Sequence, residues 1–342
     1  MAQLRVGVVG VGRMGSVHAR HLAGSVSGAK LVALADVDRS RLDALANELG
    51  VKGFTDYREM FRSPEVDAVV IAGPTDQREE MLGAAVEAGK PVFCEKPLAQ
   101  SMDAVRRLRA LVERSGAFVQ IGFMRRFDPG YAAARRHIEA GAIGEVIGVH
   151  SMTRDPKLPP YDYIATSGGI YADLAIHDFD IVRFLMADEV ASVYAVGGVY
   201  KYERLAEYGD VDNTFCTLTF TRGGIGTVHG SRNAVSGYDV RAEVYGTEGS
   251  IRIGYDRETP VLLFGGRGGS FDCVPFFFER FHDAYRLELE AFVTAVKRGD
   301  PPPVGVEDGE RALAIAEAAL ESLRSGRPVR VAGACDAGVE AS

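Results

Sequence analysis

Cysteine is scarce: four residues in 342, Cys94, Cys216, Cys273 and Cys335. They are far apart, and no two stand at a metal-ligand or redox-motif spacing, so a reduced cytoplasm is the simplest home. Basic charge is also short. The 39 Lys and Arg against 47 Asp and Glu leave a formal net charge of −8, which argues against nucleic acid and anionic membrane as partners. No run is apolar for long enough to span a bilayer, and a strand pattern from Leu4 leaves no room for a signal peptide. The seven histidines lack pairing with cysteine or carboxylate at ligand spacing, apart from Asp173 with His177, so no metal is expected. There is no internal repeat. What is present is a chain 46% hydrophobic and 25% charged, able to bury cores in the two domains that its length suggests.

The first third alternates strand and helix. Leu4–Val9 is a short apolar run, as expected of a strand covered on both faces. Gly10-Val11-Gly12-Arg13-Met14-Gly15 follows at once, a helix reads from Ser16, and a second apolar run, Leu31–Ala35, ends in Asp36. In this setting the glycines predict a dinucleotide site. Gly10 permits the tight turn, Gly12 lets backbone approach a pyrophosphate, and Gly15 lets helix and strand pack closely. Arg13 and Met14 lie within this turn, and the helix N-terminus that follows offers N–H groups and a partial positive charge that suit phosphate. Asp36 would bind ribose hydroxyls and repel a 2′-phosphate. Of Val37, Asp38 and Arg39, which follow, Arg39 alone could offset that repulsion, so NAD is expected over NADP. Helices at 39–49, 78–88 and 101–114 alternate with strands at 66–71, 91–94 and 118–122. Thr75, Glu95, Lys96 and Gly122 then fall at the carboxyl ends of strands, where open parallel sheets bind ligands.

After Phe123 the texture changes to alternating strands, with a helix read over 170–186 and two more closing the chain at 281–298 and 307–325. The fold class expected is α/β: an N-terminal Rossmann domain, residues 1–122, and a C-terminal α+β domain with a large, mostly antiparallel open sheet, residues 123–331. Residues 332–342 read as a disordered tail. Within the 170–186 helix, Asp173 and His177 stand four apart and point the same way, with Asp180 extending the polar stripe. Leu174, Ile181 and Leu185 form the neighbouring apolar stripe. Alone, an Asp–His pair at this spacing is more often a structural ion pair. It is also what a proton-abstracting site needs: the acid holds the ring and the ring takes the proton. Lysines at strand ends are commonly solvated, but Lys96 is fixed between an acid and a proline, where the nicotinamide should lie, and can donate to a substrate oxygen.

The N-terminal glycine fingerprint, Glu95-Lys96-Pro97 after a strand, and the Asp-x-x-x-His helix in a sheet-rich second half together resemble the Gfo/Idh/MocA oxidoreductases, over about residues 3–331. Supporting stretches run from Gln120 to Asp128, Ile176 to Asp180, Gly209 to Asp212, Gly237 to Asp239 and Glu243 to Gly246. The resemblance implies Lys96, Asp173 and His177 as the catalytic group, with NAD as cofactor and a small polyol or sugar as partner. It implies oxidation of one secondary hydroxyl of a ring polyol such as myo-inositol, and a homodimer or homotetramer paired through the C-terminal sheet. Arg125, Asp155 and Tyr238 are further substrate-binding candidates, since a ring polyol needs several donors and acceptors. Two other readings stay open: a dehydrogenase or ketone reductase of another pyranose sugar, and a non-catalytic dinucleotide-binding regulator. The intact Lys96, Asp173 and His177 argue against the second.

Overall fold

The computed structural model describes residues 2–255, 257–266 and 268–334. The expected disordered tail therefore lies, from residue 335 on, outside the described residues. The chain forms two compact units. One takes the residues up to Phe127 and again Asp283–Arg311; the other takes Asp128–His282 and the described residues from Ala312 onward.

The first unit runs β1 (Leu4–Val9), α1 (Arg13–Gly24), β2 (Ala29–Ala35), α2 (Arg39–Leu49), β3 (Lys52–Phe54), α3 (Tyr57–Arg62), β4 (Ala68–Ile71), α4 (Arg78–Glu87), β5 (Val92–Glu95), α5 (Met102–Ser115) and β6 (Val119–Gly122). Its six strands lie in the order β3-β2-β1-β4-β5-β6, all parallel. The central strands are apolar throughout because both faces are covered; all four residues of β4 are fully buried. Strand β3 is the exception. It is an edge strand of three residues, two of them exposed, so it leaves no apolar run to read in the sequence. Asp38 and Ser101 cap α2 and α5 through backbone N–H groups of Arg41 and Ala104, and Gly50 and Gly116 end these helices in the left-handed conformation. The chain leaves β1 toward β2 and returns to β4 on its other side. The ends of β1 and β4 thus make the topological switch point at which such sheets bind ligands.

The second unit contains α6 (Pro129–Glu139), β7 (Val146–Arg154), α7 (Tyr161–Ser167), α8 (Ile176–Met186), β8 (Val190–Gly198), β9 (Asn213–Phe220), β10 (Ile225–Ser231), β11 (Asp239–Gly246), β12 (Ser250–Tyr255) and the short hairpin β13 (Leu263–Gly265) and β14 (Gly268–Ser270). Helix α9 (Phe277–Arg298) kinks at Phe281, and α10 (Val306–Ser325) precedes β15 (Val329–Arg330). The sheet order is β12-β11-β7-β10-β9-β8-β15. Only β7 and β10 pair in parallel; the other pairs are antiparallel, as expected. Strand β9 shows the alternation plainly: Thr214, Cys216, Leu218 and Phe220 are buried and Phe215, Thr217 and Thr219 are exposed. Leu174, Ile181 and Leu185 are buried as their stripe predicts. Asp180 is buried too, paired with Arg183 at 3.7 Å, so the polar stripe does not continue into solvent. Among the described residues no helix is long and apolar enough to cross a membrane.

Helix α8 is pinned to the sheet by a residue that periodicity does not single out. Asp178 is fully buried and accepts hydrogen bonds of 2.6 Å from the hydroxyls of Ser151 and Thr153 on β7. Replacing Asp178 with Ala strands both hydroxyls in the interior. Asp178→Ala should lose about 2–4 kcal/mol of stability, read as a lower thermal midpoint of the second unit; a midpoint equal to wild type would contradict this.

Candidate active site

The glycine turn has the shape a pyrophosphate needs. Gly10 sits at φ +82, and a Cβ there would press on the Gly73 backbone. A Cβ on Gly15 would overlap the carbonyl oxygen of Gly10, whereas one on Gly12 would meet nothing within 4 Å. Glycine is therefore required sterically at the first and third positions, and the middle one leaves open space in front of α1. That helix has no side-chain cap and no acidic residue in its first turn, so its N-terminal N–H groups and partial charge face no competing anion of their own. Arg13 and Met14 form this turn, Arg13 exposed and Met14 half-buried. Asp36 follows β2, and its oxygens accept from the backbone N–H groups of Val11 at 2.7 Å and Asp38 at 2.8 Å. It ties the glycine turn to the end of β2 while each oxygen keeps a further lone pair. Val37 is 87% exposed beside it, and Arg39 pairs loosely with Asp43 in solvent at 3.6 Å. Thr75 opens a short turn after β4. These residues fit a dinucleotide.

Lys96 stands at the end of β5, half-buried, and its peptide is clamped from two directions. Arg78, which the sequence reading passed over, is buried and donates to the carbonyls of Glu95 at 3.1 Å, Pro97 at 2.6 Å and Gly73 at 3.0 Å. The Lys96 N–H donates to Glu95 Oε2 at 3.2 Å, and Glu95 Oε1 lies 2.6 Å from His18 Nε2. Burial pushes the Glu95 carboxyl up, but the His18 hydrogen bond and the charges of His18, Arg78 and Lys96 outweigh it, and the group titrates below its ordinary range. Glu95 is thus a buried anion held behind the lysine.

In the second unit Asp173 lies in a π-helical turn, Tyr171–Ala175, that runs into α8. Such turns recur at functional sites, and hydrophobic periodicity does not reveal them. Gly168 and Gly169, at φ +83 and +75, bring the chain into it. Asp210 accepts from the Ile170 N–H at 2.9 Å, and the Tyr171 hydroxyl meets that of Thr214 on β9 at 2.7 Å. Side chains from outside this turn hold Asp173. The Tyr163 hydroxyl donates to Oδ1 at 2.7 Å, and Arg232, whose side chain is fully buried, reaches Oδ2 at 3.3 Å. Sequence reading found neither. Tyr163 belongs to a stretch without a recognisable motif, and Arg232 is 59 residues away from Asp173. His177 follows on α8, half-buried. Asp155 directly follows β7, its backbone tied to Ser231 and Ala234. Tyr238 is 4% exposed among Phe276, Phe277 and Phe281, so its ring serves the core of this unit. Arg125, in the first unit, is 1% exposed.

A parallel sheet with this glycine turn, and a second unit carrying an Asp–His helix on a mixed sheet, define a two-domain oxidoreductase. The chain belongs to the Gfo/Idh/MocA family: residues 4–123 match its NAD-binding Rossmann fold and residues 135–331 its C-terminal alpha/beta domain. It is 43% identical over 330 residues to a scyllo-inositol 2-dehydrogenase (NAD(+)) of Bacillus subtilis, covering 96% of both chains. It is 40% identical to a myo-inositol 2-dehydrogenase of Thermotoga maritima, over 96% of this chain and 98% of that one. A crystal structure of scyllo-inositol dehydrogenase from Lactobacillus casei, with bound NAD(H) and scyllo-inositol, superposes with a TM-score of 0.91 at 31% identity, covering 96% of this chain and 99% of that one.

Proposed function

We propose that this chain is an NAD-dependent dehydrogenase of a ring polyol, with myo-inositol oxidised at one secondary hydroxyl to 2-keto-myo-inositol. The observation that carries the reading is near-full-length similarity to inositol dehydrogenases in a chain that keeps Lys96, Asp173 and His177. Bound NAD supplies the hydride acceptor. Gly12 and the first turn of α1 hold its pyrophosphate, and Asp36 its adenosine ribose, which favours NAD over NADP. His177 takes the hydroxyl proton. Asp173, itself fixed by Tyr163 and Arg232, orients the imidazole and stabilises its charged form. Lys96 donates to the same substrate oxygen, and Arg125, Asp155 and the Tyr238 hydroxyl supply further polar contacts. The name of the Bacillus relative favours scyllo-inositol as a second substrate. NADH formation with both inositols, glucose and xylose tests the assignment; a much larger kcat/KM on a sugar would move it to another pyranose, and no turnover would favour a binding regulator.

Lys96→Ala and His177→Ala should each lower kcat by at least about a hundredfold, within the range for general acid–base catalysis, while NADH titration by fluorescence shows little change in affinity. Near-normal turnover in both variants would sink this mechanism.

Assembly follows the same reading. Tyr194, Val196, Phe215, Ile225 and Tyr245 are 40–64% exposed on the outer face of the second sheet, which supports a homo-oligomer paired through it. Light scattering should return a dimer or tetramer; a monomer at micromolar concentration would contradict it. The free thiols of Cys94, Cys216 and Cys273 support a cytoplasmic home.

A further inference from the structure

Behind Lys96 lies a sealed polar cluster that the mechanism above does not use. His18 comes from α1, Glu95 from β5, Gln120 from β6 and Glu288 from α9, and all four are at least 95% buried. A ring nitrogen of His18 and one carboxylate oxygen each of Glu95 and Glu288 lie within 4.8 Å of one another. Glu95 has partners on both oxygens, but neither oxygen of Glu288 accepts a hydrogen bond, and Gln120 Oε1 and His18 Nδ1 also lack partners. The Gln120 amide is turned away, its Nε2 donating to the Glu288 backbone carbonyl at 3.0 Å.

A carboxylate with no donor, enclosed beside a second carboxylate, is not sustained as an anion. Two buried acids this close are not both ionised, and the one without donors keeps its proton. The groups facing Glu288 agree. Glu95 repels its charge, and the Nε2 contact of His18 is made to Glu95. Tyr285, on Glu288's own helix, places its ring edge-on to His18 at 6.1 Å, and Arg78 and Lys96 bear on Glu95. Burial first, and the charge of Glu95 second, push the Glu288 carboxyl well above its ordinary range.

We propose that Glu288 is a positioning residue for Lys96 that acts as a neutral carboxylic acid: its proton leaves Glu95 the only anion of the cluster, locked between His18 and the Lys96 N–H. A second negative charge there would repel the Glu95 carboxylate and loosen its hold on the Lys96 N–H. The role assigned to Lys96 rests on the proposed function; the protonation of the cluster does not, so the two fail separately. The test uses the full-length enzyme. Infrared difference spectra of wild type against Glu288→Gln should show a carboxylic-acid C=O band that the variant lacks, with no stoichiometric divalent metal in either. Glutamine mimics the neutral acid, so Glu288→Gln should keep most of the wild-type kcat. Glu288→Ala also adds no charge but empties the buried space beside Glu95, so the carboxylate can shift; it should lose on the order of tenfold or more in kcat through misplacement of Lys96, with the affinity for NADH little changed. The absence of an acid band, or one equivalent of metal that Glu288→Gln removes, would overturn the neutral acid. Equal losses of kcat in Gln and Ala variants, or no loss in either, would overturn the positioning role.

Discussion

The buried hydrogen-bond set around the Lys96 peptide is the constraint on which the rest of the site depends. A lysine side chain has four rotatable carbons and would lose positional meaning on a mobile loop. Here the backbone that carries it is fixed by the Arg78 guanidinium on three carbonyls and by Glu95 on the Lys96 N–H. Removing a partner from such a set leaves a buried charge unpaired, which costs more than the bond itself contributes. The price of this arrangement is a carboxylate in the core, and His18 at 2.6 Å is what makes that carboxylate tolerable.

The same logic governs the second unit with different parts. Asp173 is held by a tyrosine and a fully buried arginine, and the turn that carries it is fixed at its start by Asp210. Asp178, a turn further on, secures α8 to β7. Both units thus place an acid or base at the end of an element and spend buried polar groups on its backbone. Sites supported in this way rest on rigid elements and second contacts rather than on loop chance.

Much of this was legible in the sequence because the signals are local. The glycine turn needs three positions within six residues, and the structure shows the steric reason at Gly10 and Gly15. The parallel strands announce themselves as apolar runs, and the second sheet by alternation. What stayed hidden is long-range or irregular. Strand β3 lies at an edge and has too few buried residues to show. The π-helical turn at Asp173 has no periodic signature. Arg232 and Glu288 reach their sites from far along the chain, and a buried ionisable group looks in sequence like any surface arginine or glutamate. The packing of the Tyr238 ring among phenylalanines is likewise invisible locally, because Phe276, Phe277 and Phe281 come from far along the chain.

The central claim is that Lys96, Asp173 and His177 serve hydride removal from a secondary carbinol of a ring polyol. Following the isotope tests it most directly. With myo-inositol carrying deuterium on the carbon to be oxidised, mass spectrometry should find the label in the NADH formed in ordinary water, and single-turnover rates should be slower than with unlabelled substrate. NADH free of deuterium, with the label released to solvent, would contradict the account.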